Sequence, residues 1–322
     1  MMFKVIMAPT EGSDSETAAL DVAVKLAQRF EAEIRLVRVE TSPLVIEPMA
    51  RPGVLETTER DLQEERIARL RKLEALGVQL RALGAIRVIT ALEDGPIGPT
   101  LRDYARKFRV DLIVLSSHSR GGLKRAALGS VSDYLIRHTN IPVLVVKQPA
   151  SFIGTHFQET VGRIVVPLDG SELAEQILPS VASVALRIGA SVSLLHVLTP
   201  LTYSQKQIMQ PGLPWWDGDI AVADSYLARA ASYLTAEGVA VTKDVILSDN
   251  VSTAILDFAA RASADLIAIA TSGRGGMSRF VFGTVADAIT RKSPASLLVF
   301  HPRLDTALAK PPEIGTRALA DA

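Results

Sequence analysis

Short apolar runs alternate along the chain with longer stretches in which apolar residues recur every three or four positions. The runs are too short for helices, and the longer stretches have the period of a helix with one buried face. In the first half, Lys4–Ala8 reads as a strand. Asp14–Phe30 reads as a helix with Leu20, Ala23, Val24 and Ala27 on one face, and Glu33–Val39 as a second strand. Thr41–Gly53 holds three prolines and reads as a loop. Glu56–Leu83 is a charged amphipathic helix, whose run "ERDLQEERIARLRKLE" from Glu59 suits a solvated face with i,i+4 ion pairs. Strand Arg87–Ala91, helix Pro99–Lys107, strand Leu112–Leu115, helix Ser130–His138 and strand Pro142–Val146 follow. The second half repeats the order: strand Arg163–Pro167, helix Glu172–Ile188, strand Ser193–Val197, a loop to about Gly218 and helix Ile220–Ala236. It closes with strand Val239–Ile246, helix Val251–Ala262, strand Leu266–Ala270, helix Thr284–Lys292 and strand Ala295–Phe300. Pro179 predicts a kink inside Glu172–Ile188.

Several strands hold continuous apolar runs, as within "DLIVL", "PVLVV" and "SLLVF". A strand buried on both sides belongs to a parallel sheet covered on both faces. The fold class expected is α/β: two tandem doubly wound domains, each with a five-stranded parallel sheet and helices on both faces. The two halves are copies. "FKVIMAPTEGSDSETAAL" answers to "GRIVVPLDGSELAEQIL", with Gly12-Ser13 matching Gly170-Ser171 at an offset of 158. Gly129-Ser130 matches Gly283-Thr284 at an offset of 154, so four residues are lost between the anchors. The expected domains are 1–147 and 160–302, with a linker over Gln148–Thr160 and a mobile tail over 303–322.

Composition narrows the function. Lys plus Arg and Asp plus Glu are both 35 in 322 residues, so no basic surplus points to nucleic acid or an anionic membrane. The chain has no cysteine, which excludes disulfides and thiol chemistry and fits a cytoplasmic location. The opening "MMFKVIMAPTEGSDSE" does not read as a signal segment. No apolar stretch reaches 18 residues, so no membrane span is expected.

The candidate chemistry lies beyond the carboxyl ends of the strands, where doubly wound sheets bind ligands. "PLDGS" (Pro167–Ser171, including Leu168) follows the second half's first strand, and "ATSGRGGMSRFVFGT" runs from Ala270 to Thr284. A helix amino end offers unpaired N–H groups and positive potential that suit phosphate. Glycine lets the backbone approach closely. Arg274 adds a cation, Thr284 a hydroxyl, and Asp169 an acceptor for a base or ribose. On the residues alone a second reading stands equally: the glycines serve turns, Thr284 is an N-cap, and Asp169-Gly170-Ser171 is a turn before a helix.

Both halves resemble the universal stress protein family, on the motif Gly, two residues, Gly, nine residues, Gly, Ser or Thr, with an Asp after the first strand. The resemblance implies ATP binding: the Asp for adenosine, main chain near the second strand for adenine, the glycine loop for phosphates. The second half keeps Asp169, Gly273, Gly283 and Thr284, with Ala270 at the first motif glycine and Val197 at the adenine-contacting position. The first half departs further. Glu11 replaces the Asp, Ser116 and Ser119 replace both leading glycines, and only Gly129 and Ser130 remain. The resemblance therefore implies a nucleotide cradle in the second half and a degenerate one in the first. It implies a stress-response or regulatory role, and Mg2+ held through the phosphates. It also implies pairing of Pro142–Val146 with Ala295–Phe300 as an intrachain pseudo-dimer, with a homodimer as a further possibility.

No catalytic residue and no metal site stands out. Any ATP hydrolysis is expected to be slow, because neither a general base nor an arginine finger is evident. Two alternatives remain: a nucleotide-free interaction module, and a hydrolase on the same sheet. None of His118, His138, His156, His196 and His301 has metal-ligand spacing. His118 reads as a surface residue of the first loop, and His196 as a hydrogen-bonded core residue. "PWWDG" at Pro214–Gly218 reads as part of the long loop, with Trp215 and Trp216 packing it on its own domain or, as the alternative, capping a pocket or forming a partner site.

Overall fold

The computed structural model describes residues 3–13, 16–41, 59–85, 87–117, 128–147, 162–199, 215–271 and 283–302. In the first half, β1 (Val5–Pro9) is followed by α1 (Thr17–Phe30), β2 (Glu33–Glu40), α2 (Glu59–Ala82) and β3 (Arg87–Asp94). Then come α3 (Ile97–Lys107), β4 (Leu112–Ser116), α4 (Ser130–His138) and β5 (Val143–Val146). The second half runs β6 (Arg163–Pro167), α5 (Glu172–Glu175), α6 (Leu178–Ile188), β7 (Ser191–Leu198) and α7 (Trp215–Ala236). It ends with β8 (Val241–Leu247), α8 (Val251–Arg261), β9 (Leu266–Ala270), α9 (Thr284–Lys292) and β10 (Ser296–Phe300). The expected linker and tail lie outside the described residues.

The ten strands form one sheet in the order β3-β2-β1-β4-β5-β10-β9-β6-β7-β8. Each half is parallel throughout, and the halves meet where β5 and β10 pair antiparallel, Leu144 opposite Leu298. Alternation along each strand feeds two cores. Ile6 and Ala8 of β1, Leu144 of β5 and Leu298 of β10 face the layer that holds α1, α2, α6 and α7. Met7, Val145 and Leu297 face α3, α4, α8 and α9. Every residue of β5 is buried, as its uninterrupted apolar run requires.

Two expectations change. Glu172–Ile188 is two helices rather than one kinked helix. The break falls at Gln176–Ile177, and Pro179 sits in the first turn of α6, where a missing N–H leaves no bond unmade. "PWWDG" is not a loop, because α7 begins at Trp215, directly after Pro214, and the helix is five residues longer at its start than the pattern predicts. The solvated reading of α2 holds: Arg69 pairs with Glu65 at 2.7 Å one turn away and with Glu40 of β2 at 3.0 Å. No helix among the described residues is long and apolar enough to cross a membrane.

Candidate functional site

The sheet opens a crevice in each half at the same place. β6 pairs with β7 through Pro167–Leu195, but pairs with β9 only at Ile164–Leu266 and Val165–Ile267. Beyond that point β6 and β9 part, and the helices α6 and α9 pack on opposite faces of the sheet. This is the topological switch point where ligands settle in doubly wound sheets. β1 and β4 part in the same way after Met7–Ile113.

The second half's crevice is bordered by the chain after β6. Leu168 is buried and its N–H donates to Leu195 O at 2.9 Å. Gly170 has φ +85°, a left-handed turn that favours glycine. Asp169 Oδ1 accepts from the Ser171 N–H at 3.0 Å and from its hydroxyl at 2.6 Å. Ser171 Oγ in turn caps α5 by accepting from the Ala174 N–H. Behind this loop His196 Nδ1 lies 2.8 Å from Leu168 O, and its ring meets Tyr226 edge-on. The His196 reading is therefore upheld. The buried Tyr226 hydroxyl lies near Glu175, Asp169 and the Gly170 backbone without a partner at hydrogen-bond geometry. Burial first, and then the Glu175 and Asp169 charges, push its pKa up, so it stays a donor.

Across the crevice, Ala270 ends β9 and is buried. Thr271 O accepts from the Gly283 N–H at 2.8 Å, and a Cβ on Gly283 would lie 3.1 Å from that carbonyl. A Cβ there is tighter than an ordinary contact, so any side chain would push the Thr271 carbonyl aside by a few tenths of an ångström. Gly283 is also the N-cap of α9, without a side-chain cap. Thr284 is consequently the first helical residue, with an exposed side chain, and the N-cap reading of it does not hold. Val197 lies on β7, half-buried toward the same core as Ile255 and Ala286. Gly273 and Arg274 fall outside the described residues.

The first half shows how the repeated positions converge. Pro9, Glu11, Val39, Ser116 and Gly129 line one open cleft. Gly129 is the N-cap of α4, and Ser130 is its exposed first residue. Ser119 and His118 lie outside the described residues. What the sequence reading missed is Glu16. It is 6% exposed, and its carboxylate accepts from the Thr10 hydroxyl at 2.6 Å and from the N–H groups of Glu11 (2.9 Å) and Gly12 (3.3 Å). Arg38 Nη1 braces the same turn by donating to Glu11 O. The second half has Ala174 and His196 at those positions. The signal for Glu16 was present as Ser13-x-x-Glu16, the spacing of a capping box whose acid reaches back to the preceding backbone.

Among the described residues no group of three or more His, Cys, Asp or Glu side chains could hold a metal ion. The architecture is thus a pair of doubly wound α/β units, each with a ligand crevice at its switch point. The chain belongs to the universal stress protein family, whose sequence model matches residues 2–147 and again residues 160–301. A universal stress protein of Methanocaldococcus jannaschii is 32% identical over 149 residues, 46% of this chain and 84% of its own. One of Mycobacterium tuberculosis is 26% identical over 323 residues, covering 94% of this chain and 96% of its own. The crystal structure of a universal stress protein from Archaeoglobus fulgidus superposes with a TM-score of 0.66 at 18% identity, covering 92% of this chain and 98% of that one. That likeness establishes the tandem fold.

Proposed function

We infer that the chain is an ATP-binding universal stress protein whose second domain holds the nucleotide, in a stress-response or regulatory role. One observation carries the reading: the Asp169 loop and the amino end of α9 border the same switch-point crevice, with the Gly283 main chain held against Thr271 O. The residues fit the ligand by type. Asp169 accepts from a ribose or base, and Pro167, Leu168 and Val197 flank it. Thr284 and the first turn of α9 offer donors to phosphate, joined by Gly273 and Arg274. Ala270 stands where the family motif has glycine, and a single methyl is a small intrusion. Mg2+, if it accompanies ATP, is held through the phosphates rather than by a carboxylate cluster.

The first domain is read as the half that has lost the nucleotide. Glu16 already occupies the turn's donors with a buried carboxylate, and a negative charge there disfavours a phosphate-bearing ligand. The same proposal places the protein in the cytoplasm, which suits a chain without cysteine. The test is extraction of nucleotide from the purified chain, followed by calorimetry with MgATP. One ATP per chain supports the reading. No bound nucleotide and no heat of binding would leave the nucleotide-free interaction module in its place.

A further inference from the structure

α9 is the helix whose amino end borders the second crevice, yet it is held from the other domain. Its carboxyl end receives Lys147, the residue just after β5. Lys147 is 5% exposed, and its Nζ donates to Ser293 O at 2.5 Å and to Thr290 O at 3.4 Å. Its own N–H donates to Ser296 Oγ at 3.2 Å. An ammonium at this end satisfies carbonyls that a helix leaves unpaired and complements their negative potential. The first turn of α9 is held as well: Arg137 of α4 reaches Asp287 at 3.1 Å. Asp287 also pairs with Arg291 at 2.9 Å, and Arg137 with Asp133 at 3.0 Å. By the repeat these four residues are two copies of one Asp–Arg pair, brought together at the β5–β10 seam.

The grip is not symmetric. The repeat-mate of Lys147 is His301, which bonds Thr271 Oγ1 at 2.6 Å. The lysine therefore sits on the helix that serves the second crevice. The nine-residue α9 is roughly 13 Å long. A shift at its carboxyl end is carried to Gly283 and Thr284, and a binding site tolerates displacements of only about 0.5 Å.

We propose that Lys147 and Arg137 of the first domain are positioning residues for the phosphate-binding end of α9 in the second domain. The degenerate half thus sets the affinity of the other half for phosphate-bearing ligands. This rests on the nucleotide reading above. Asp169 follows β6 and Val197 lies on β7, whereas the interdomain bonds of Lys147 and Arg137 described above go to α9, its following turn and β10, so the nucleoside part of the ligand is independent of the grip.

The experiment is calorimetry on the full chain with MgATP and, separately, with adenosine, for the native protein, Lys147→Met and Arg137→Gln, with melting curves for each. Both variants are expected to weaken MgATP by about three- to tenfold and to leave adenosine within about twofold. Unchanged MgATP affinity in folded variants overturns the inference, as does an equal loss for both ligands, and either result leaves the nucleotide reading intact. A native chain that binds neither ligand overturns that reading and the inference with it. Should Lys147→Met fail to fold, Arg137→Gln decides alone, since Arg137 and its partner Asp287 are both about a third exposed.

Discussion

Glu16 and Lys147 are buried charges with opposite consequences. Glu16 satisfies three donors of the β1–α1 turn at once. Removing it takes the carboxylate from the buried Thr10 hydroxyl and the Glu11 N–H, while the Gly12 N–H keeps Thr10 Oγ1 at 3.0 Å, so Glu16→Ala should lower stability by about 1–3 kcal/mol. A urea titration of the full chain measures this, and a loss below about 0.5 kcal/mol would show that water replaces the carboxylate. Lys147 is different because its pKa is pushed down to about 8 by burial. The unfolded chain holds that proton up to the ordinary lysine range, so between pH 8 and about 10.5 the unfolded state binds more protons. Stability therefore rises with pH across that window. The difference between native protein and Lys147→Met should grow in favour of the native chain by about 1–3 kcal/mol from pH 8 to pH 10. A flat difference would mean that Lys147 titrates normally. Neither residue was legible in the sequence as more than a capping-box acid and a lysine after a strand. Their meaning depends on partners in tertiary contact, and for Lys147 those lie 143 and 146 positions away.

Elements were far more legible than contacts. An apolar strand such as β5 or β9 points to burial on both faces and hence to a sheet covered by helices on both sides, although it leaves the antiparallel β5–β10 pairing undetermined. Where the reading failed, local chemistry had two outcomes. Proline within a helical pattern either kinks a helix or starts one, and the α5–α6 break puts Pro179 in the first turn. The two outcomes differ in energy. Pro179→Ala should change stability by less than about 1 kcal/mol, whereas relieving an interior proline would gain about 3 kcal/mol. Thermal unfolding of the variant distinguishes them. Thr284 follows the same logic: Gly283 and Thr284 both suit an N-cap, and the extended backbone of Gly283 before a helical Thr284 decides between them. The asymmetry of the two crevices was legible in part. Glu11 for Asp169 and Ser116 for Ala270 could be read off the repeat, but the Glu16 carboxylate that fills the first turn could not.

At the scale of the molecule, the antiparallel β5–β10 pair turns two edge strands into the centre of a ten-stranded sheet. Native-state hydrogen exchange should protect β5 and β10 about as well as β1 and β6, and the outer strands β3 and β8 less. Fast exchange at β5 and β10 would mean that the halves separate readily in solution. With the seam closed, the two crevices are copies of one site in different chemical states, one with the buried Glu16 carboxylate on its turn and one bordered by Asp169 and the amino end of α9. The most direct test compares the two halves within one intact chain, by MgATP calorimetry on Asp169→Ala and Glu11→Ala. The account predicts one site per chain, weakened about tenfold or more by Asp169→Ala, as loss of a charged hydrogen-bond partner implies, and changed less than about twofold by Glu11→Ala. Equal losses from the two substitutions, or a greater loss from Glu11→Ala, would contradict it.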